Sequence, residues 1–473
     1  MGKPKRLLTH ARKKEKEKSK FVPEASHASL WVSLIPLVVR ARVQYDITQH
    51  PALAAQIPAS LVDLLRTALE SHRVALRLQQ ENADVLFNTA QVLTSLAEAL
   101  SEGRGSVPES ELKGGALGLL EEAVELFQRC LTLQEYQFSE SQAQMEEMAG
   151  AEQNASQTEG EDTLMGDTAS TAAAEAAAAS LEASEDERWA TIVEPLTPDT
   201  LLDTALAQLE TLTVLCGLAI SEAGSGLAWI EEYSTNLILN KISALARGTD
   251  RQREVALARA NFICAFADAS FKSGQMDLQT YKKEVFLAFD DEKLGDITND
   301  PQILSAKAEA LMSFCSAIAD PFYDQNLDAG TPGDINSVRW NHLSLALDSL
   351  TMASKLPEAR NVAKIHLARG DVEMLRFRLG QPPNNYEPAQ KNSETLLKNA
   401  AVYYRGAAGV ARNAGMKEET TEAAMKETVA KGLVGDELAV KALRESSRND
   451  KEVLEEMMEE GLLDREWIGR VGI

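Results

Sequence analysis

Repeated helical spacing within residues 64–131 constrains this chain more than any other feature of its sequence. One pattern runs from Ala68 to Leu78, breaks at residues 79–82, and resumes from Ala83 to Leu93. After an insertion, the stretch from Glu121 to Leu131 repeats the first pattern almost position for position. Small residues where helices cross let the backbones approach, and larger apolar residues fill the remaining volume. The spacing therefore predicts helical hairpins that pack side by side.

These patterns resemble those of the tetratricopeptide-repeat (TPR) family, of which the chain looks like a divergent, fungal-type member. In the second half, Pro301 to Cys315 resembles a first repeat helix, with Ala308 at the small position. Ala346, Leu350 and Ala353, followed by Pro357, resemble a second helix with its terminating proline. The units there are roughly 40 to 55 residues, longer than the regular 34. The resemblance implies an all-α, helical-hairpin solenoid that binds other proteins and is degenerate in its second half.

Composition also favours an all-α fold. The chain is 44% hydrophobic with only 5% aromatic residues, and it is rich in Ala and Leu. Such residues suit close-packed helices, whereas sheets favour β-branched and aromatic residues. A helical array can also reach 473 residues without a single central core, because each unit contacts only its neighbours.

The sequence predicts five segments that differ in charge and apolar content. Residues 1–27 and 139–187 have too little apolar surface to offset the entropy of ordering. Residues 140–187 contain thirteen Asp or Glu and no Lys or Arg. The last segment is highly charged and is interpreted as a set of peripheral capping helices. The segments are a disordered basic arm (1–27), TPR-like helices (28–138), an acidic, Ala-rich disordered linker (139–187), degenerate TPR-like repeats (188–415) and charged C-terminal helices (416–473).

The sequence contains no recognisable motif for catalysis or cofactor binding. The chain has no phosphate-binding loop and no HExxH motif, and its six histidines and four cysteines are scattered. Asp324, Asn326 and Asp328 match the first ligands of a calcium loop, but Ile335 stands at its twelfth position, so a helix-capping loop is preferred. We therefore expect no enzyme activity, cofactor, metal or small-molecule substrate. The apolar run from Leu30 to Val39 is too short to span a bilayer, so no membrane association is expected.

Charge points to the class of partner. The formal net charge is −24, yet residues 1–20 carry nine basic and two acidic side chains, which leaves about −31 on the remainder. Such a body attracts basic proteins and repels nucleic acid, while the arm would do the opposite. The basic residues of the arm are Lys3, Lys5, Arg6, Arg12, Lys13, Lys14, Lys16, Lys18 and Lys20.

Two functional hypotheses follow. In the first, the chain is a non-enzymatic scaffold or adaptor of the cytoplasm or nucleus, acting as a dedicated chaperone for a basic client such as a ribosomal or other nucleic-acid-binding protein. Client contacts are predicted at residues that alternate with the packing positions, namely Asn88, Gln91, Thr94 and Lys307. In the second, it is a regulatory factor in translation or transcription whose arm, at residues 3–20, contacts RNA or the ribosome. An import receptor reading the arm also stays open, as does a role for the acidic linker as either a polyanionic shield or a plain spacer.

Overall fold

A computed structural model describes residues 27–54, 56–101, 109–158, 196–219, 225–290, 292–319, 332–445 and 447–472. Within these residues the regular structure is helical and contains no strand, which confirms the predicted all-α class. The α-helices in chain order are α1 His27–Thr48, α2 Pro51–Ala54, α3 Leu61–Leu78, α4 Ala83–Ser101, α5 Glu109–Thr158, α6 Pro198–Ala219, α7 Ser225–Asn236, α8 Gln252–Lys272, α9 Leu278–Ala288, α10 Pro301–Ala317, α11 Pro332–Ala353, α12 Ala363–Leu379, α13 Glu387–Asn413, α14 Lys417–Val434, α15 Glu437–Arg444, α16 Arg448–Glu459 and α17 Arg465–Val471.

Capping residues explain several helix boundaries. Thr197, Pro198 and Asp199 form a sequence that predicts a helix start, with a capping hydroxyl, a first-turn proline and an early carboxylate. The prediction is confirmed at α6, because the hydroxyl of Thr197 accepts a hydrogen bond from the backbone N–H of Thr200 at 3.2 Å. Asp300 caps α10 in the same way, accepting from the N–H groups of Gln302 and Ile303 at 2.9 and 3.1 Å. Each cap satisfies N–H groups that the first turn leaves without an intrahelical partner.

Helices that follow one another in the chain pack against each other. α3 contacts α4, α4 contacts α5, and α5 contacts α6; further along, α10 to α14 pack in the same consecutive manner. The buried apolar residues accordingly form a succession of clusters. One joins α3, α4 and α5, a second joins α5 to α8, and a third extends from α8 to the C-terminal helices. The arrangement is thus helical-repeat-like, since burial comes from neighbouring helices in turn.

One predicted boundary requires correction. The acidic linker was predicted to be disordered from residue 139, but α5 continues as a helix to Thr158. The added stretch is rich in Ala, Glu, Gln and Met, which are good helix formers even on an exposed surface. Residues 159–187 of the predicted linker lie outside the described residues. So do residues 1–26 of the predicted arm and residues 320–331, which hold most of the calcium-like loop.

Helix α6 is the most apolar of the long helices. In the part of the chain that the structure describes, it is the one helix long and apolar enough to cross a membrane, and 67% of its apolar window is buried inside the protein. Its buried side chains contact α5 and α8. Its hydrophobicity is therefore used in packing between helices.

The C-terminal helices are held by a buried ion cluster. The side chain of Lys426 in α14 is only 2% exposed, and its Nζ lies 3.2 Å from a carboxylate oxygen of Asp371 in α12. The same ammonium lies 3.2 Å from Glu422 and 3.3 Å from Glu460. Tyr404 in α13 donates its hydroxyl to Asp371 at 2.8 Å. We call these five residues the Lys426 cluster; it joins α12, α13 and α14 to the end of α16.

The protonation states of the Lys426 cluster follow from its surroundings. Burial raises the pKa of Asp371 above its ordinary value, although the Lys426 charge and the Tyr404 hydrogen bond oppose the rise. Burial by itself would lower the pKa of Lys426, but the three carboxylates outweigh it and the pKa is raised. The lysine is therefore a fixed cation within a group that carries surplus negative charge.

Candidate functional site

The described part of the chain contains a polar groove between α5 and the helix that begins as α7. Its cavity volume is about 80 Å³, well below the 300–1,000 Å³ of a small-molecule pocket. The space suits one small side chain or ordered water, with a longer ligand lying across the groove. Its lining residues are Gln128, Leu131, Thr132 and Glu135 of α5, Gln208 of α6, and Tyr233, Asn236, Leu237 and Lys241.

A local change of helix type shapes one wall of this groove. After Asn236, α7 continues as a π-helical segment, Leu237–Ile242, and then as a last α-turn, Ser243–Leu245. Single π-turns inside helices widen the spiral and are frequent at functional sites. Here Leu237 and Ile242 stay buried, while Lys241 reaches α5 and its Nζ lies 2.7 Å from the Glu135 carboxylate.

A chain of hydrogen bonds forms the floor of the groove. Gln208 is 1% exposed, and its amide donates to the backbone carbonyl of Val124 at 3.2 Å and to the hydroxyl of Tyr233. Tyr233 in turn donates to the side-chain oxygen of Gln128 at 2.8 Å. Burial raises the pKa of Tyr233 to about 12, although the bond from Gln208 lowers it. The phenol is therefore a neutral donor that joins three helices.

An exposed aromatic residue extends the groove at the end nearest the start of α7. The ring of Trp229 stacks on that of Tyr233, with centroids 5.4 Å apart and an interplanar angle of 29°. Trp229 nevertheless remains 44% exposed. Because Tyr233 is fixed by its hydroxyl, it holds the indole in place beside solvent.

Acidic side chains flank both walls. The Gln128–Tyr233 and Glu135–Lys241 contacts advance together along α5 and α7, so the two helices run parallel. Glu121 and Glu125 precede Gln128 by seven and three residues, which places them on its side of α5. Glu232 lies three residues after Trp229, is exposed, and pairs with no described cation.

Lys241 is the one cation among the groove residues just described, and it is paired with Glu135. The nearby Arg129 is directed elsewhere, since its guanidinium donates to the backbone carbonyl of Gln80 at 3.3 Å. The surplus of carboxylates makes the groove attractive to cationic groups.

The structure does not bring the predicted contact residues together. Asn88 is 5% exposed, and its side-chain oxygen accepts a hydrogen bond from Arg42 of α1 at 2.9 Å. The hydroxyl of Thr94 lies 3.0 Å from that of Thr211 in α6. Gln91 and Lys307 are half-buried, on α4 and on the distant α10. Asn88 and Thr94 thus join helices within the chain, and partner contact by all four residues stays a prediction.

The titratable groups in the described residues show no reactive thiol or metal centre. No group of three or more His, Cys, Asp or Glu there is arranged to hold a metal ion. Cys130, Cys216, Cys264 and Cys315 are all buried, and burial raises the pKa of each thiol to about 12. At neutral pH these cysteines are protonated and behave as small apolar residues.

Comparisons with known proteins leave the family open. No protein-family model matches the chain, and no curated protein matches it. Among solved structures, it is similar to a "Circular tandem repeat protein with novel repeat topology and enhanced subunit contact surfaces", at 13% sequence identity and a TM-score of 0.30. The match covers 92% of this chain and 85% of the other. A TM-score this low does not establish a shared fold. The helical-repeat-like arrangement is instead shown by the packing of consecutive helices.

Proposed function

We propose that this protein is a non-enzymatic, protein-binding scaffold with a TPR-like solenoid, and that it acts as a dedicated chaperone for a basic client. The observation that carries the proposal is the acidic, aromatic-lined groove between α5 and α7. Such a surface offers charge complementarity, a fixed aromatic ring and amide groups, which together suit a segment of polypeptide. A cavity of about 80 Å³ is too small for most organic substrates.

Long-range charge supports a basic client. With a net charge of −24 for the whole chain, the surface would steer a positively charged protein toward the groove and raise the rate of encounter. Ribosomal and other nucleic-acid-binding proteins have the required charge and carry extended basic segments that need shielding before they assemble. The expected locations are the cytoplasm and the nucleus, where such clients are made and used.

A second function is supported by the opposite charge of the N-terminus. Residues 1–20 carry a balance of +7, which suits contact with RNA, the ribosome or an import receptor. In this alternative the protein is a regulatory factor in translation or transcription, and the helical body recruits another factor.

Affinity capture of the intact protein from cell lysate separates the two functions. The capture is performed at low and moderate salt, with and without RNase, and the candidate client is then purified and recombined with the protein. One basic protein that binds stoichiometrically, resists RNase and rebinds in purified form supports the chaperone. Loss of all captured proteins on RNase treatment, or on deletion of residues 1–20, favours the regulatory factor instead.

A further inference from the structure

We propose that the groove between α5 and α7 recognises an arginine side chain within the client's basic segment. The guanidinium would stack on Trp229 and pair with Glu125 and Glu232. This inference rests on the proposed function, since it names the chemical group of the client that the scaffold recognises.

The aromatic contact is the first element of the inference. One side of the Trp229 indole is covered by Tyr233, and 44% of the residue remains exposed. A tryptophan face is the best aromatic platform for a cation, and arginine uses it more often than lysine. Because the Tyr233 hydroxyl is bonded to Gln128 and Gln208, the platform is already in place before a ligand arrives.

Carboxylates lie at the height of that platform. Tyr233 is level with Gln128, and the helices run parallel, so Trp229, one turn earlier, is level with residues 124 and 125 of α5. Glu125 is exposed on that wall, and Glu232 is exposed one turn from Trp229 on its own helix. A planar guanidinium can stack flat on a ring and donate two parallel N–H groups to a carboxylate at its edge, whereas an ammonium has no plane to stack and no such pair of donors.

Free amide donors continue the groove beyond the aromatic end. Gln128 accepts from Tyr233 through its side-chain oxygen, and Asn236 accepts from Asn240 at 2.7 Å through its own. In both residues the amide nitrogen has no acceptor among the described residues and is left to donate, on opposite walls of the groove. Such donors fit the carbonyl groups of an extended peptide. The cavity between these two residues is too small to enclose a peptide. The peptide would therefore lie across the groove, with its arginine at the Trp229 end.

Fluorescence anisotropy with two labelled peptides tests this inference on the full-length protein. Both peptides have a Gly/Ser background; one carries arginines and the other carries lysines at the same positions. We expect tighter binding of the arginine peptide. Trp229→Leu should weaken it about 5- to 30-fold and Glu232→Gln about 3- to 10-fold, with smaller losses for the lysine peptide. Circular dichroism checks that each variant is folded.

Glu455→Gln is the matched charge control, because Glu455 is an exposed carboxylate of α16 outside the groove. Equal affinities of the wild type and Trp229→Leu for the arginine peptide would overturn the inference. Equal losses for Glu232→Gln and Glu455→Gln would also overturn it, since they would reveal attraction by net charge alone. If the client captured from lysate binds Trp229→Leu and Glu232→Gln with the same affinity as the wild type, arginine recognition by the groove is refuted while the scaffold function stands. If the wild type binds neither the client nor the peptides, the proposed function fails as well.

Discussion

Replacement of Lys426 by methionine should destabilise the protein more than any substitution at an exposed charge. The ammonium is 2% exposed and compensates Asp371, Glu422 and Glu460. Methionine has a similar length and fills the same space, so the change removes the charge and leaves little cavity. Three carboxylates would then face each other with no cation, in a site where Asp371 and Glu422 have side chains only 14% and 15% exposed.

Two limits bracket the size of the effect. Breaking a buried ion pair by removing one partner costs about 3–5 kcal/mol. The folded protein can limit the loss by binding a proton, and neutralising a carboxyl of ordinary pKa near 3.9 costs about 4 kcal/mol at pH 7. Glu460 is 46% exposed and reaches water, which lowers the repulsion further. We therefore expect a loss of about 3–4 kcal/mol at pH 7.

The loss should shrink in acid, and its sign follows from proton binding. In Lys426→Met the folded-state pKa of Asp371 would exceed its unfolded value even more than burial makes it do in the wild type. As pH falls toward the folded-state pKa of Asp371, the folded variant binds more protons than the unfolded chain. The stability of the variant therefore increases as pH falls. At pH 5, neutralising the same carboxyl costs only about 1.5 kcal/mol, and the destabilisation should fall to about that value.

Urea unfolding followed by circular dichroism at pH 7 and pH 5 measures these effects. Lys431→Met provides a control on the same helix, because Lys431 is 39% exposed and pairs with Glu427 one turn away; its loss should stay near 0.5 kcal/mol. Adding Asp371→Asn to Lys426→Met should restore part of the stability, since the amide oxygen still accepts from Tyr404. A Lys426→Met variant no less stable than Lys431→Met, with the pH dependence of the wild type, would refute the reasoning.

Three further predictions concern packing, the groove and the thiols. Gly370→Ala should destabilise the protein by about 3 kcal/mol in urea unfolding, because the added Cβ would lie 2.3 Å from the Tyr404 ring. The control Gly406→Ala has open space around it and should be neutral or stabilising by up to about 1 kcal/mol; equal effects of the two substitutions would contradict the packing argument. Tyr233→Phe should cost about 1–2 kcal/mol by the same measurement, because it leaves the buried amide of Gln208 without that acceptor; Tyr136→Phe, at an exposed tyrosine, is its control. The four cysteines should resist a disulfide reagent at pH 8 until urea unfolds the chain, because burial raises each pKa to about 12; rapid labelling in native buffer would disprove this.

Local signals in the sequence predicted the helices, but they placed some boundaries wrongly. The cap at Thr197 and the proline start at Pro301 were predicted and are present, because both depend on neighbouring residues only. After the breakers Gly380, Pro382 and Pro383, helical spacing in the sequence predicts a helix only from about residue 394, whereas α13 begins at Glu387 with Pro388 in its first turn. Proline is well tolerated there because the first N–H groups have no intrahelical acceptor.

The groove and the Lys426 cluster could not be predicted in the same way. Gln128 and Tyr233 are 105 residues apart, and the π-helical segment that brings Lys241 to Glu135 has no clear signal in hydrophobic spacing. Lys426 lies in a segment predicted to be peripheral because of its many charges, yet partners from other helices enclose it. Periodicity shows which face of a helix is apolar, but it does not show which distant polar residues meet.

Polar contacts between distant helices also explain how a surface built on Ala and Leu can be specific. Small apolar residues let helices approach closely, but dispersion contacts among them have little directional preference. Arg42 with Asn88, Thr94 with Thr211, and Gln208 with Tyr233 each bond at one relative position of their helices. We infer that these bonds fix the register of the helices around the groove. A groove with fixed walls loses little conformational entropy on binding, so a short segment of client can bind with useful affinity.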